Sequence, residues 1–250
     1  MPVFRLGELE LAYDEYGSGY PLVLFAPGGM HSRSEFWAER PAQWIDPRTA
    51  LADRYRIIAI DQRNAGRSRG PVRATDGWHT YAEDAVALLQ HLGIRSVAVM
   101  GGCIGVSFAL AFCARPEIEV VAAVLQNPVG EGPGFHEHFA PVFDEWAGRL
   151  RATRGDVDEH TLAALRANMF GGEFVFSVDR DFIRSWDVPL LVLPGNDQFH
   201  PTWTAEEIAG LAPRATLVRA WHPSEIGDAA AITLIRDFLD GAIPRASHQR

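Results

Sequence analysis

The sequence predicts an α/β fold: a mostly parallel central sheet flanked by helices, with a short helical lid inserted late in the chain. Three observations carry this. Strand-like runs alternate with helical patterns. Those runs are almost wholly apolar, as strands covered by helices on both faces must be. In "VAVMGGCIGVSFALAF" an apolar run stops at two glycines and passes through a lone cysteine straight into a helical pattern. A chain of 250 residues, 47% hydrophobic, is long enough for one well-buried core, so a single domain over 1–250 is expected.

Taken in order, "ELELAYDEYGSGYPLVLFAPGG" reads as a strand, a Gly-Ser-Gly turn and an apolar strand beginning at Pro21. "YRIIAIDQRNAGRS" gives a second apolar strand, ending at Asp61. "GWHTYAEDAVALLQHLGI" has helical spacing at Ala85, Val86, Leu88, Leu89 and Leu92, with Gly93 as its stop. "RSVAVMGG" is a short buried strand, and "VSFALAFCARPE" a helix that Pro116 ends. "VVAAVLQNP", "PLLVLPGND" and "ATLVRAWHP" are further strands, followed by the helix "DAAAITLIRDFLD". Between 129 and 186 the rhythm fails. That stretch is rich in Phe, Trp, His and charge, and is expected to be the helical lid. Binding sites in open α/β sheets lie beyond the carboxyl ends of strands. Asp61, Cys103, Asn127 and Asp197 all fall there.

Composition narrows the partners. Lys and Arg total 23 against 32 Asp and Glu, a net charge of −9, which argues against a binder of nucleic-acid phosphates. No apolar window is long enough to span a bilayer, so no membrane partner is expected. "MPVFRLGELELAYDEYG" shows no basic region followed by an apolar stretch, hence no visible signal peptide. The two cysteines, Cys103 and Cys113, stand too far apart on a helix to bridge. Free thiols and no export signal point to a cytoplasmic location. Oligomeric state is left open by the sequence.

The chemistry is concentrated in "GGCIG", a Gly-x-nucleophile-x-Gly pattern. Side chains two away on either side of the nucleophile would clash at a strained strand-to-helix turn. That turn sets the thiol at a helix N-terminus, where the dipole and unpaired N–H groups favour an anion. The N–H of Ile104 would face the carbonyl oxygen of a bound acyl group. Cys113 sits mid-helix among Ala and Phe and reads as core. A nucleophile needs a base, and the base an orienting acid. "LPGNDQFHP" offers Asp197 just past a buried strand, and "RAWHPSE" offers His222 just past the last one. His200, three residues after Asp197, is the rival base.

The order Cys103, Asp197, His222 is nucleophile, acid, histidine, and with the elbow it resembles the α/β-hydrolase-fold superfamily over nearly the whole chain. "DQRNAGRS" is similar to the family's Asp-x-Arg-Gly-x-Gly-x-Ser loop. Asn64 takes the first glycine's place, and Asn tolerates a left-handed backbone better than most residues. The family's histidine follows the final strand, which favours His222 over His200. "FAPGGMHSRSEFW" stands where the family has His-Gly, so the resemblance implies the N–H of Gly29, or of Met30, as second oxyanion donor. Cysteine at the elbow resembles dienelactone hydrolases and the lipase box of polyester synthases; epoxide hydrolase and haloalkane dehalogenase relatives use Asp where this chain has Cys103.

The expectation is acyl transfer on a small-molecule ester, thioester or lactone through a thioester at Cys103. Cysteine catalysis needs no metal or cofactor, and none is expected. Met30, Asn127, Phe135, Phe139 and Trp146 are candidate substrate contacts. An acyltransferase using an acceptor other than water, and a receptor-like binding protein with little turnover, are the alternatives.

Overall fold

Among the described residues, eight strands form one sheet: β1 (Val3–Leu6), β2 (Leu9–Tyr16), β3 (Tyr20–Phe25), β4 (Tyr55–Ile60), β5 (Ser96–Gly102), β6 (Glu119–Gln126), β7 (Leu190–Leu193) and β8 (Ala215–Leu217). The helices are α1 (Pro47–Ala50), α2 (Trp78–His91), α3 (Gly105–Cys113), α4 (Phe135–Thr153), α5 (Glu159–Phe170), α6 (Arg180–Ser185), α7 (Thr202–Leu211), α8 (Pro223–Ile226) and α9 (Asp228–Ala242). The computed structural model describes residues 2–39, 44–132 and 134–243. No helix among them is long and apolar enough to cross a membrane.

The sheet order is β1-β2-β4-β3-β5-β6-β7-β8. β1 and β2 pair antiparallel, as do β2 and β4, and every other neighbouring pair is parallel. Parallel strands need crossovers, and the helices between them supply these. Alternate residues of each central strand point to opposite faces, and both faces are covered. Val23 and Phe25, Val97 and Val99, and Ala123 and Leu125 pack on the side of α2 and α3. Leu22 and Leu24, Ala98 and Met100, and Ala122 and Val124 pack on the side of α9, against Ile235 and Leu239. Burying one such aliphatic side chain contributes about 1.5–3 kcal/mol relative to leaving it in water. This two-sided burial is why the runs are apolar without alternation.

The predicted strands and helices are present, and α1, α7 and α8 form where no helix was predicted. Val3–Leu6 forms its own antiparallel strand, too short and too exposed to show a period. The last strand is only Ala215–Leu217. Residues 129–186 hold α4, α5 and α6, and α4 carries Pro141 in its interior.

After β3 the chain passes to β4 on one side, and later to β5 on the other. The order therefore reverses between β3 and β5, and the loops leaving those two strands open a crevice at their carboxyl ends. The candidate site lies there.

Candidate active site

Cys103 follows β5 directly, with φ 56, a left-handed conformation uncommon for a side-chain-bearing residue. Its neighbours in the motif explain how the turn closes. A Cβ on Gly101 would lie 2.5 Å from the Gly105 carbonyl oxygen, and one on Gly105 only 2.0 Å from the Phe25 oxygen. Neither position admits a side chain, and the strand, turn and helix can approach only because both are glycine. α3 starts at Gly105, and the N–H groups of Val106 and Ser107 donate back to the carbonyls of Cys103 and Ile104. Gly29 (φ 63), also in the cavity lining, begins a short 3-10 turn, Gly29–His31, in the loop that leaves β3. α4 packs on this turn: a Cβ on Gly29 would sit 3.0 Å from Val142 Cγ1.

The loop after β7 carries Asp197. Asp197 Oδ1 accepts from the backbone N–H of Phe199 (2.8 Å) and of His200 (2.9 Å). The Nδ1 of His200 lies 2.9 Å from Oδ1 and 3.0 Å from Oδ2 of the same carboxylate. The loop folds this tightly because Gly195 has no side chain; a Cβ there would be 2.2 Å from His200 Cβ. Thr202 fastens the turn by donating from Oγ1 to the Gly195 carbonyl at 2.8 Å.

His200 is 3% exposed. Burial disfavours its charged form, but the negative charges of Cys103 and Asp197, with hydrogen bonding to them, push it up to about 9. Burial likewise acts to raise Asp197, yet His200 and the two backbone N–H groups hold its carboxyl at about 2. Nε2 of His200 is buried without an aligned acceptor, and Cys103 is the neighbour whose charge it answers to. By contrast, burial pushes the Cys113 thiol up, as befits an inert core residue.

The predicted pairing of Asp197 with His222 is not what the structure shows: it brings Asp197 to His200, and His222 is not among the residues that line the cavity with Cys103. His222 is buried, its ring stacked on Trp221 with centroids 4.3 Å apart. It is the residue before α8, and its carbonyl accepts from Glu225 and Ile226. The order of residues cannot distinguish the two, because both histidines follow strands. The Asp-x-x-His spacing after Pro194-Gly195 was the signal available, since a carboxylate three residues earlier in a tight turn can hold both the backbone and the ring of the histidine.

Cys103 and His200 line one cavity of about 330 Å³, with Pro27, Gly29, Phe36 and Phe139 among its walls. Of the five predicted substrate contacts, only Phe139 belongs to it. Met30 is 2% exposed and packs into the core beneath its turn. Asn127 (φ 49) turns the chain after β6 and donates its N–H to Leu193. Phe135 stacks on Phe139 and Phe176 within an aromatic cluster. Trp146 donates its Nε1–H to the Asn64 carbonyl at 3.0 Å, tying α4 to the loop after β4. Aromatic content marked α4 as the cavity's cover, but only a helix phase can say which ring faces inward. Sequence reasoning did not single out His31, Trp44, Val142, Glu145 or Phe199, which also line it.

The loop after β4 is held by charge. Asp61 accepts from Ser34 N (2.9 Å) and Arg67 Nε (2.8 Å), and Arg67 reaches on to Asp14. Asn64 takes φ 59, the left-handed conformation expected of it.

The alpha/beta hydrolase fold family profile matches residues 21–180. The chain belongs to the α/β-hydrolase-fold family. A soluble epoxide hydrolase of Corynebacterium sp. (strain C12) is 38% identical over 100 residues, 40% of this chain and 32% of that one. Such a match spans about a third of the relative's length. A 2-hydroxy-6-oxo-6-(2'-aminophenyl)hexa-2,4-dienoic acid hydrolase of Metapseudomonas resinovorans is 27% identical, over 76% of this chain and 72% of that one. A thermophilic esterase from Thermogutta terrifontis has the same fold, with a TM-score of 0.66 at 23% identity, covering 94% of this chain and 95% of that chain. These relatives and neighbours are hydrolases.

Two outcomes test the geometry. Gly195→Ala is expected to displace His200 and lower kcat/KM at least ~10-fold, since misplacing a catalytic group by about 1 Å can cost ~100-fold; steady-state kinetics with an ester substrate checks this. The second concerns pH. His200 is raised from its ordinary 6.5 to about 9, so its charge stabilises the fold fully below pH 6.5 and this contribution is lost as pH rises through about 9. Melting temperatures across pH 6–10 are expected to show the wild type falling relative to Cys103→Ala over that window. Parallel curves would remove the ion pair.

Proposed function

We propose that this chain hydrolyses a carboxylic ester, thioester or lactone through a covalent acyl-enzyme at Cys103, with His200 as base and Asp197 as its orienting acid. The observation that carries this is one cavity holding a cysteine on a strained strand-to-helix turn and a histidine fixed by a carboxylate 2.9 Å away.

His200 Nε2, raised to about 9, already holds the proton, and the negatively charged sulfur of Cys103 attacks the acyl carbon. The carbonyl electrons move onto oxygen, where the backbone N–H groups of Gly29 and Ile104 stabilise the charge; one such donor is typically worth ~3 kcal/mol of barrier. Collapse of the intermediate breaks the bond to the leaving group, which takes the proton from His200. Water then enters, gives a proton to His200 and attacks the thioester carbon. The second collapse releases the acid and leaves the sulfur charged beside the protonated His200. Asp197 keeps the Nδ1–H tautomer, presenting Nε2 to sulfur and water.

Epoxide opening, the activity named for the Corynebacterium relative, has less support here, because position 103 offers a thiol rather than a carboxylate.

Intact-mass spectrometry after brief mixing with activated esters, lactones and acyl thioesters tests the proposal. The expected result is an acyl adduct on the wild type, none on Cys103→Ala, and decay of the adduct in water. Decay only with an added amine, alcohol or thiol makes the protein an acyltransferase. No adduct and no product would leave a binding protein.

A further inference from the structure

The cavity beside Cys103 has two wall residues that acyl transfer does not employ, His31 and Trp44. Trp44 is 3% exposed and stands edge-on to His200, ring centroids 5.5 Å apart at 88°. Its Nε1–H is buried and has no hydrogen-bond partner among the described residues. The same holds for Nε2 of His31, two residues beyond Gly29. A buried polar atom without a partner is rare in a folded protein. Two of them on residues that line one cavity point to a ligand group that completes both.

The chemistry of that group follows from the surroundings. The indole nitrogen is a donor only. Burial, Arg149 and Arg33 depress His31, against an opposing pull from Glu145, which leaves a neutral imidazole that is a second donor in its Nε2–H tautomer. Two other wall residues, Glu39 and Glu145, carry charge and are already held, Glu39 by Arg33 at 2.6 Å and Glu145 by Arg149. Their negative charges disfavour a carboxylate guest, and two neutral donors do not compensate its loss of hydration. Phe36, Phe139, Val142 and Phe199 make the rest of the wall apolar.

We propose that His31 and Trp44 determine specificity by donating hydrogen bonds to an uncharged oxygen of the substrate other than the attacked carbonyl: an oxo, ether or hydroxyl oxygen on an otherwise apolar acyl compound. The inference deepens the proposed acyl transfer and rests on it for the site. A site built to pair a substrate polar group rejects the analogue lacking it, because its own polar atoms are then left unpaired.

The test compares substrates in which oxygen replaces a methylene: 4-nitrophenyl methoxyacetate against 4-nitrophenyl butanoate for the acyl side, and 2-methoxyethyl against butyl esters of one acid for the leaving-group side. The readout is the kcat/KM ratio within each pair, which cancels the common chemistry. In at least one pair, the wild-type ratio is expected to exceed that of Trp44→Phe and of His31→Leu by about 5–10-fold each, the usual worth of one hydrogen bond. Equal ratios in all three proteins, for both pairs, overturn the proposal. Calorimetric binding of the same esters to Cys103→Ala protein gives a second reading that needs no turnover. Preference for the oxygen member there, about tenfold and reduced by adding Trp44→Phe, supports the proposal even if Cys103 proves not to be the nucleophile. Equal or undetectable binding of both members, with equal kinetic ratios, overturns it.

Discussion

Cys103→Ala is expected to lower kcat/KM for an acyl substrate at least ~10⁴-fold while moving the melting temperature by no more than a few degrees. The size follows from what the substitution removes. Without sulfur there is no covalent route, and His200 and the backbone donors are left to act on water alone, where residual catalysis by such groups is small. The fold should tolerate the change, because the turn is made by Gly101 and Gly105 rather than by the thiol, and alanine at φ 56 bears the same strain as cysteine. Activity within tenfold of wild type would show that the elbow is structural. Cys103→Ser discriminates further: a hydroxyl has no thiolate to offer a protonated His200, so its rate should remain at least ~100-fold below wild type.

His200→Ala is expected to cost ~10³–10⁴-fold in kcat/KM, and His222→Ala less than about threefold. The ranking rests on Asp197, which touches both His200 ring and backbone, whereas His222 stacks on Trp221. Trp221 is itself anchored by donation to the Pro194 carbonyl at 2.7 Å. Removing the His222 ring should therefore register in stability, as a fall in melting temperature of ~2–4 °C. Steady-state kinetics and melting of the two variants decide it. A larger activity loss for His222→Ala would return the base to the residue that follows the last strand.

Much of this protein was legible one residue at a time. The parallel sheet follows from apolar runs interrupted by helical spacing, because a strand buried on both faces has no polar face to alternate with. The elbow follows from Gly-x-Cys-x-Gly, since a Cβ on Gly105 would lie 2.0 Å from the Phe25 oxygen. Asn64 in a glycine position foretold a left-handed residue, and it takes φ 59. Local sterics and periodicity act over a few residues, so a sequence reader can apply them without knowing where the rest of the chain goes.

The cavity was less legible, for a different reason. Phe135, Phe139 and Trp146 are all aromatic and all lie on α4, yet only Phe139 reaches the crevice. The phase of that helix is fixed by Gly29 against Val142 and by the Trp146 bond to the Asn64 carbonyl, contacts between segments far apart in sequence. Trp44 and His31 carry no motif, and their unpaired nitrogens emerge only when three-dimensional packing closes the wall around them.

By itself, then, the sequence determined the sheet, the strained cysteine turn and the place of Asp197 after β7, because each is set by short-range sterics or by the repeat of apolar residues. Which histidine meets Asp197 was decided only by the tertiary structure. Two histidines follow strands, and the choice between them depends on a loop that folds back at Gly195 far enough to bring His200 within 2.9 Å of the carboxylate, while His222 stacks on Trp221. A contact distance of that kind is the sum of many long-range packing constraints, and no local pattern encodes it.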